Sequence, residues 1–115
     1  MANQMDILTV DGESVYLDEE GFLLDSCQWT PAVADKLARV HGQQLSQQHW
    51  EIILFVQAYH QQYEITPPMR ALVRGLKAKL GAEKANSRYL YRLFPDGPAK
   101  QATRYAGLPK PVSCI

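Results

Sequence analysis

The sequence predicts a mainly α fold: a small orthogonal helical bundle with an N-terminal β-hairpin and a flexible C-terminal arm. Apolar residues recur at helical spacing between cap-forming residues and glycines over most of the chain. An Asp-Gly pair separates two short apolar stretches near the N-terminus, as in a tight hairpin. The last nine residues contain two prolines and a penultimate cysteine. We therefore expect residues 1–106 to form one domain and residues 107–115 to form a mobile arm.

Length and composition narrow the class of protein. The chain has 115 residues, 46% of them hydrophobic, and a net charge of zero, which suits a single domain with one core. No apolar run approaches the ~20 residues of a membrane span. Residues 1–6 lack the basic flank and apolar core of a secretory signal. We expect a cytoplasmic protein without membrane contact, in which Cys27 and Cys114 stay reduced.

The charged residues are segregated along the chain. Residues 1–69 carry ten acidic and two basic side chains, whereas residues 70–115 carry ten basic and two acidic ones. Such segregation can steer a charged partner to one face of a protein. Alternatively, the acidic half neutralises the basic surface within the same folded domain.

The N-terminal third predicts a hairpin followed by a helix. Residues 7–10 and 15–17 flank Asp11-Gly12, and residues 18–21 form a second turn. Thr30 is placed to cap a helix whose first residue is Pro31. That helix should end near Gly42.

The next helix should begin after a cap at Ser46. Its apolar residues cover much of its circumference, so we expect it to be the central helix of the bundle. These residues are Trp50, Ile53, Leu54, Val56, Ala58 and Tyr59.

The C-terminal half predicts three further helices. Thr66 and Pro67 repeat the arrangement of a cap followed by proline, and Gly81 should end that helix. The buried stripe of the helix that Thr66 should cap comprises Met69, Leu72, Val73, Leu76 and Leu80. Asn86 or Ser87 should cap a short helix that reaches Phe94. A last helix should run from Pro98 to Tyr105, with Gly107 as its left-handed cap.

Metal and hydrolase sites are not expected. His49 and His60 lie eleven residues apart, too far to bind one metal together, and no third ligand is evident. A Cys-His hydrolase would need an orienting group that the sequence does not offer. Cys27 follows several acidic residues, which disfavours a thiolate there. We interpret Cys27 as structural or incidental and expect no cofactor.

The C-terminal arm is the most unusual stretch. Pro109 and Pro111 exclude a regular helix and favour an extended chain. Nine such residues span about 28 Å at the rise of polyproline II. Cys114 would then carry a thiol near the tip of a semi-stiff arm. Prenylation is excluded because it requires a cysteine four residues from the end.

Residues 86–102, the stretch Ala106-Gly-Leu-Pro-Lys-Pro111 and the penultimate Cys114 resemble the TusE/DsrC family. Residues 18–23, 28–29, 49–50 and 66–70 are similar too. The resemblance covers residues 7–115 and implies a cytoplasmic sulfur carrier that needs no cofactor of its own. By position, Cys114 is the residue that bears the persulfide.

The resemblance also implies a branch of the family and its partners. DsrC proteins carry a second arm cysteine, and Thr103 occupies that position here. An intramolecular arm disulfide is therefore put in doubt, which favours the TusE branch. Members of that branch receive sulfur from a TusBCD complex. They work with MnmA, the tRNA 2-thiouridylase that modifies the wobble uridine.

Basic residues near the arm are candidates for docking a partner or the tRNA backbone: Arg88, Arg92, Lys100 and Lys110. The alternative is that Arg88 and Arg92 pair with acids inside the fold. Two other functions stay open. One is a DsrC-like partner of sulfite-metabolising enzymes. The other is a nucleic-acid-binding module that uses a helix-turn-helix-like segment, residues 66–94.

Overall fold

The N-terminal hairpin forms as the sequence predicts. The structure, a computed structural model, describes residues 6–109. Strand β1 (Asp6–Val10) pairs antiparallel with β2 (Glu13–Leu17), with Ile7 opposite Tyr16. Asp11 and Gly12 have φ angles of 52° and 83°, the two positive values that a two-residue hairpin turn requires.

One face of the hairpin joins the core. Leu8, Val10, Val15 and Leu17 are buried, whereas Ile7 and Tyr16 are exposed. This alternation follows from the two-residue period of a strand.

A tight turn after β2 returns the chain to the hairpin. Asp18 Oδ1 accepts hydrogen bonds from the backbone N–H groups of Glu20 (2.8 Å) and Phe22 (3.0 Å). Leu17 and Leu23 then form an isolated antiparallel bridge. A single 3₁₀ turn, Ser26–Gln28, leads to the first helix.

The first two helices begin at their predicted caps. In α1 (Pro31–Val40), Thr30 Oγ1 accepts from the Val33 N–H at 3.2 Å. In α2 (Gln47–Tyr63), Ser46 Oγ accepts from the His49 N–H at 3.4 Å, and His49 Nδ1 accepts from the Ser46 N–H at 3.0 Å. Two unpaired donors at the start of α2 are thus satisfied reciprocally.

The predicted cap of the third helix is wrong. Helix α3 (Met69–Leu80) has Pro68, not Thr66, at its N-cap, and no side chain caps it. Proline disfavours the helical conformation in the residue before it, so Pro67 cannot start the helix ahead of Pro68. Leu72 and Leu76 are fully buried, and Gly81 ends the helix with φ of 90°, both as predicted.

Helix α4 (Ser87–Leu93) is capped by Asn86, whose Oδ1 accepts from the Tyr89 N–H at 2.9 Å. A 3₁₀ turn, Ala82–Lys84, separates it from α3. Helix α5 (Pro98–Tyr105) has the predicted bounds.

The central helix is α5, so the prediction for α2 is wrong. Helix α5 contacts all four other helices, and six of its eight residues are buried. Helix α2 buries only Ile52, Ile53 and Val56, whereas Leu54 is 55% exposed. The sequence misleads here because α5 is short and polar. The apolar excess of α2 lies instead in an open groove against α3.

Within residues 6–109, none of the helices has the length and apolar character needed to cross a membrane.

Candidate functional site at the origin of the C-terminal arm

The end of α5 is closed by a Schellman motif. Gly107 has φ of 76°, and its N–H donates to the Arg104 carbonyl at 3.2 Å. The Leu108 N–H donates to the Thr103 carbonyl, also at 3.2 Å. These two bonds satisfy carbonyls that a helix end leaves unpaired. Gly107 is buried and Leu108 is half-buried against the core, so the first two residues of the predicted arm pack on the domain.

Trp29 covers this junction from the other end of the chain. Its Nε1–H donates to the Tyr105 carbonyl at 2.7 Å. A Cβ atom at position 107 would overlap the Trp29 ring. The ring also packs edge-on against Trp50, with centroids 6.3 Å apart. Glycine is therefore required at position 107 both by its φ angle and by the space beneath the indole.

A second side chain holds the junction from α2. Gln57 Nε2 donates to the Ala106 carbonyl at 2.9 Å. Together with Trp29, it binds two consecutive carbonyls at the end of α5. The end of α5 is thus held by side chains of two other segments.

A buried polar network anchors α5 from inside. Tyr105 Oη donates to Gln43 Oε1 at 2.8 Å, and Gln101 Nε2 donates to the same oxygen at 3.0 Å. Gln101 Oε1 accepts from the Asp96 N–H at 2.7 Å. Burial raises the pKa of the Tyr105 phenol above its ordinary value of 10.0, because an ionised phenol would lose its hydration.

Arg104 is the buried charge of α5, only 7% exposed. Its Nη1 lies 3.3 Å from His41 Nε2, and its guanidinium lies 5.5 Å from the centre of the Phe22 ring. His41 Nδ1 in turn bonds the Leu37 carbonyl at 2.9 Å. The end of α5 is therefore tied to α1 and to the turn after the hairpin as well.

Of the sequence-predicted site residues, Cys114 and Lys110 lie outside the described residues. Arg88, Arg92 and Lys100 are exposed. Within residues 6–109, neither Arg88 nor Arg92 has an ion-pair partner, which speaks against the alternative of internal pairing. An ion pair between Lys84 and Glu51, 3.8 Å apart, does join the basic and acidic halves.

Thr103 is completely buried on α5. Its backbone carbonyl takes part in the Schellman motif, whereas its Oγ1 has no hydrogen-bond partner within residues 6–109. The residue that the resemblance singled out is therefore part of the junction itself.

Cys27 is exposed on its 3₁₀ turn, where Asp25 Oδ1 accepts from its backbone N–H at 3.0 Å. No cluster of three potential metal ligands occurs in the part of the chain that the structure describes. The two ring nitrogens of His49 both serve the fold, one in the α2 cap and one against the Leu93 carbonyl at 2.9 Å.

Sequence reasoning did not assign roles to Trp29, Gln57 or Gln43. Gly107 signalled a left-handed turn, but no local pattern indicates which distant side chain covers it. These contacts span 49 to 76 residues of sequence.

The fold and this junction define a small helical domain whose last helix is held at its C-terminal end by Trp29 and Gln57. Comparisons with known proteins identify its family. The family model described as DsrC like protein matches residues 9–115. The chain therefore belongs to the DsrC-like family, as the sequence resemblance predicted.

Several curated relatives match along nearly the whole chain. Sulfurtransferase TusE of Pectobacterium atrosepticum is 49% identical over 109 residues, covering 95% of this chain and all of the relative. Sulfurtransferase TusE of Yersinia pestis is 50% identical with the same coverage.

The solved structures are DsrC proteins. The NMR structure of Allochromatium vinosum DsrC superposes with a TM-score of 0.88 at 49% identity, covering 96% of this chain and 99% of that one. The oxidized gamma-subunit of the dissimilatory sulfite reductase (DsrC) from Archaeoglobus fulgidus gives 0.83 at 43% identity, covering 96% and 100%. Overall identity therefore does not separate the two branches of the family.

Proposed function

We propose that this protein is a sulfurtransferase that carries sulfur as a persulfide on Cys114. The observation that carries the proposal is the penultimate cysteine, in a chain that is 49–50% identical to proteins named sulfurtransferase TusE over 95% of its length. The fixed junction at Gly107 supports it, because a carrier must present its arm to partners from a defined point.

The transfer requires no net oxidation. The Cys114 thiolate attacks the outer sulfur of a donor persulfide, forms Cys114–S–SH and expels the donor thiolate as the donor S–S bond breaks. The reverse exchange unloads the carrier: an acceptor thiolate attacks the outer sulfur and releases the Cys114 thiolate. Each step makes one S–S bond and breaks one.

The partners follow from the TusE resemblance. A TusBCD-like carrier would supply the sulfur, and an MnmA-like tRNA thiouridylase would receive it for 2-thiolation of wobble uridine. The exposed residues Arg88, Arg92 and Lys100, together with Lys110, are candidates for contacting these partners or the tRNA backbone. Lys110 lies beside the arm prolines in the sequence.

The second candidate is a DsrC-like role beside a sulfite-metabolising enzyme, favoured by the names of the solved structures. Thr103 argues against it, because a hydroxyl cannot form the arm disulfide that the resemblance assigns to that branch. Replacing the buried hydroxyl in a Thr103→Cys variant would supply the missing thiol. If mild oxidation lowers the mass of this variant by about 2 Da and leaves the mass of the wild type unchanged, the disulfide involves position 103.

The first experiment is persulfide loading of the purified chain. We expect a persulfide donor to add one labile sulfur, about 32 Da by intact mass, to the wild type and to a Cys27→Ser variant. A Cys114→Ser variant should not gain it. Cys27 is a matched control because its thiol is exposed. Loading of the Cys114→Ser variant at Cys27 would contradict the proposal.

The second experiment measures wobble-uridine 2-thiolation in cells. A strain whose only copy carries Cys114→Ser should lose the modification, whereas the Cys27→Ser strain should keep it. Normal thiolation in the Cys114→Ser strain would rule out the tRNA pathway even if loading occurs in vitro.

A further inference from the structure

An open groove of about 760 Å³ separates α2 from α3, distinct from the arm junction. Phe55, Tyr59 and Tyr63 follow one another at one-turn intervals along α2. Their ring centroids are 6.2 and 4.6 Å apart. Phe55 and Tyr59 are half-buried, and Tyr63 is 54% exposed. The three rings thus form a row along one wall of the groove.

The opposite wall is basic. Arg70, Arg74 and Lys79 line the groove from α3, a helix without any acidic residue. All three side chains are exposed, and none has an ion-pair partner within residues 6–109. Their charges are therefore free to meet an anionic ligand.

The remaining lining carries neither a further charge nor a large apolar side chain; it consists of Ala58, Gln62, Pro68, Ala71 and Gly75. The Phe55 ring packs directly on Gly75. Among the described residues, no Leu, Ile, Val or Met lines the groove. An amphipathic helix docks its apolar face in a hydrophobic groove, whereas three cations line this one. Aromatic faces beside a row of cations instead suit flat bases joined by phosphates.

We infer that the α2–α3 groove binds single-stranded RNA, with bases stacked on the tyrosines and phosphates held by Arg70, Arg74 and Lys79. The choice of RNA over single-stranded DNA rests on the proposed function in tRNA thiolation. The stacking and charge arguments hold without that function. The groove lies on the opposite side of α2 from Gln57 and the arm junction. RNA binding is therefore separable from sulfur loading.

The test is fluorescence anisotropy with a labelled single-stranded RNA of about 12 nucleotides, within the usual site size of such grooves. We expect wild-type binding that weakens with salt, and that is stronger for this RNA than for the same sequence as DNA or as a duplex. Tyr63→Ala should weaken binding about tenfold, and Tyr63→Phe, which keeps the ring, should restore it.

The phosphate contacts are tested with two matched double variants. A double variant, Arg70→Ala with Arg74→Ala, should lower the slope of log K against log salt by about 1.4, the value for two lost phosphate contacts to a single strand. Lys36→Ala with Arg39→Ala removes the same charge from exposed positions on α1 and should leave the slope unchanged. Equal effects of the two double variants would overturn the inference.

Three other results would overturn it: no binding by the wild type, equal affinity for duplex RNA, or equal affinity for polyglutamate, which would mark an acidic protein as the partner. Tyr63 is exposed, so its variants should fold. They decide the test even if the arginine variants fail to fold. Cys114→Ser should bind RNA normally, and the groove variants should still load sulfur. Failure of the relay and failure of the groove are thus told apart.

Discussion

Helix α2 contributes residues to both the arm junction and the α2–α3 groove, yet these two regions are built in opposite ways. At the junction, Gln57 binds the Ala106 carbonyl and Trp29 binds the Tyr105 carbonyl, and Gly107 is buried beneath the indole. In the groove, aromatic rings and cations stay open to solvent. The contrast separates a part that must keep one geometry from a part that stays available to a ligand.

This difference predicts how each region responds to substitution. Changes at the junction should lower the free energy of unfolding, because they disturb buried packing and satisfied hydrogen bonds. Changes at the exposed groove residues, such as Tyr63, Arg70 and Arg74, should leave stability nearly unchanged and affect binding alone.

The largest effect should come from Gly107→Ala. The new Cβ meets the Trp29 ring and the residue keeps a positive φ, so we expect a loss of about 3 kcal/mol in unfolding free energy. Gly42→Ala is the matched control: its φ is 77° but nothing lies within 4 Å of the added Cβ. It should lose only about 1 kcal/mol, the backbone cost alone. Equal losses in urea denaturation would show that Trp29 does not confine the junction.

Tyr105→Phe should cost about 1–2 kcal/mol near neutral pH, since the hydroxyl loses its bonds to Gln43 (2.8 Å) and from Gln101 (3.3 Å), although Gln43 keeps its bond from Gln101. A pH effect follows from the raised pKa of Tyr105. Above pH 10.0 the unfolded state loses the phenol proton before the folded state does, so wild-type stability should fall as pH rises through the folded pKa.

The phenylalanine variant should lack that part of the alkaline loss, and below pH 10.0 the phenol should contribute no pH dependence. Urea denaturation from pH 8 to 11.5 measures both. Parallel stability curves for the two proteins would contradict the burial of this hydroxyl.

Substitutions at the helix starts should change stability less. They also test where α3, which forms the basic wall of the groove, begins. Thr30→Ala removes the bond to the Val33 N–H and should cost about 1 kcal/mol. Thr66→Ala should change stability by less than about 0.5 kcal/mol, since α3 begins after Pro68 without a side-chain cap. If Thr66→Ala costs as much as Thr30→Ala, the start of α3 is placed incorrectly.

Tyr63→Ala should have the smallest effect, within about 0.5 kcal/mol, because the ring is exposed and alanine favours the helix. The thermal midpoint measures it, with Trp29→Phe as the junction counterpart. Loss of the indole N–H leaves the Tyr105 carbonyl unpaired there, so that variant should lose about 1–2 kcal/mol. A larger loss from Tyr63→Ala than from Trp29→Phe would reverse the contrast between the regions.

Local signals predicted most of the fold. Asp11-Gly12, Thr30-Pro31, Ser46 and Asn86 act through neighbours within a few residues, so their patterns could be recognised from sequence. The bounds of α5 were predicted for the same reason, by Pro98 and Gly107.

Two predictions failed where a neighbour or the tertiary structure decides. Pro68 overrides the cap that Thr66 would otherwise provide. The broad apolar surface of α2 predicted a central helix packed on several sides, but Leu54 is exposed and Ala58 and Tyr59 line an open groove, and the polar helix α5 takes the centre. A buried Gln101 or Arg104 is recognisable only once Gln43 and His41 are known to lie beside it.

The candidate site was predictable in part. The family was evident from sequence, whereas the contacts that hold the end of α5 depend on Trp29 and Gln57, many residues away. Their partners are backbone carbonyls, which leave no trace in residue identity.

The Schellman motif predicts slow hydrogen exchange at the Leu108 amide. The Leu108 amide hydrogen is bonded to a carbonyl of a helix that touches every other helix of the bundle. Its exchange with deuterated water should therefore require opening of most of the domain. Pro109, which follows, has no amide hydrogen at all. Slow deuterium uptake should thus extend to Leu108, whose amide would become exposed to solvent only when the domain opens.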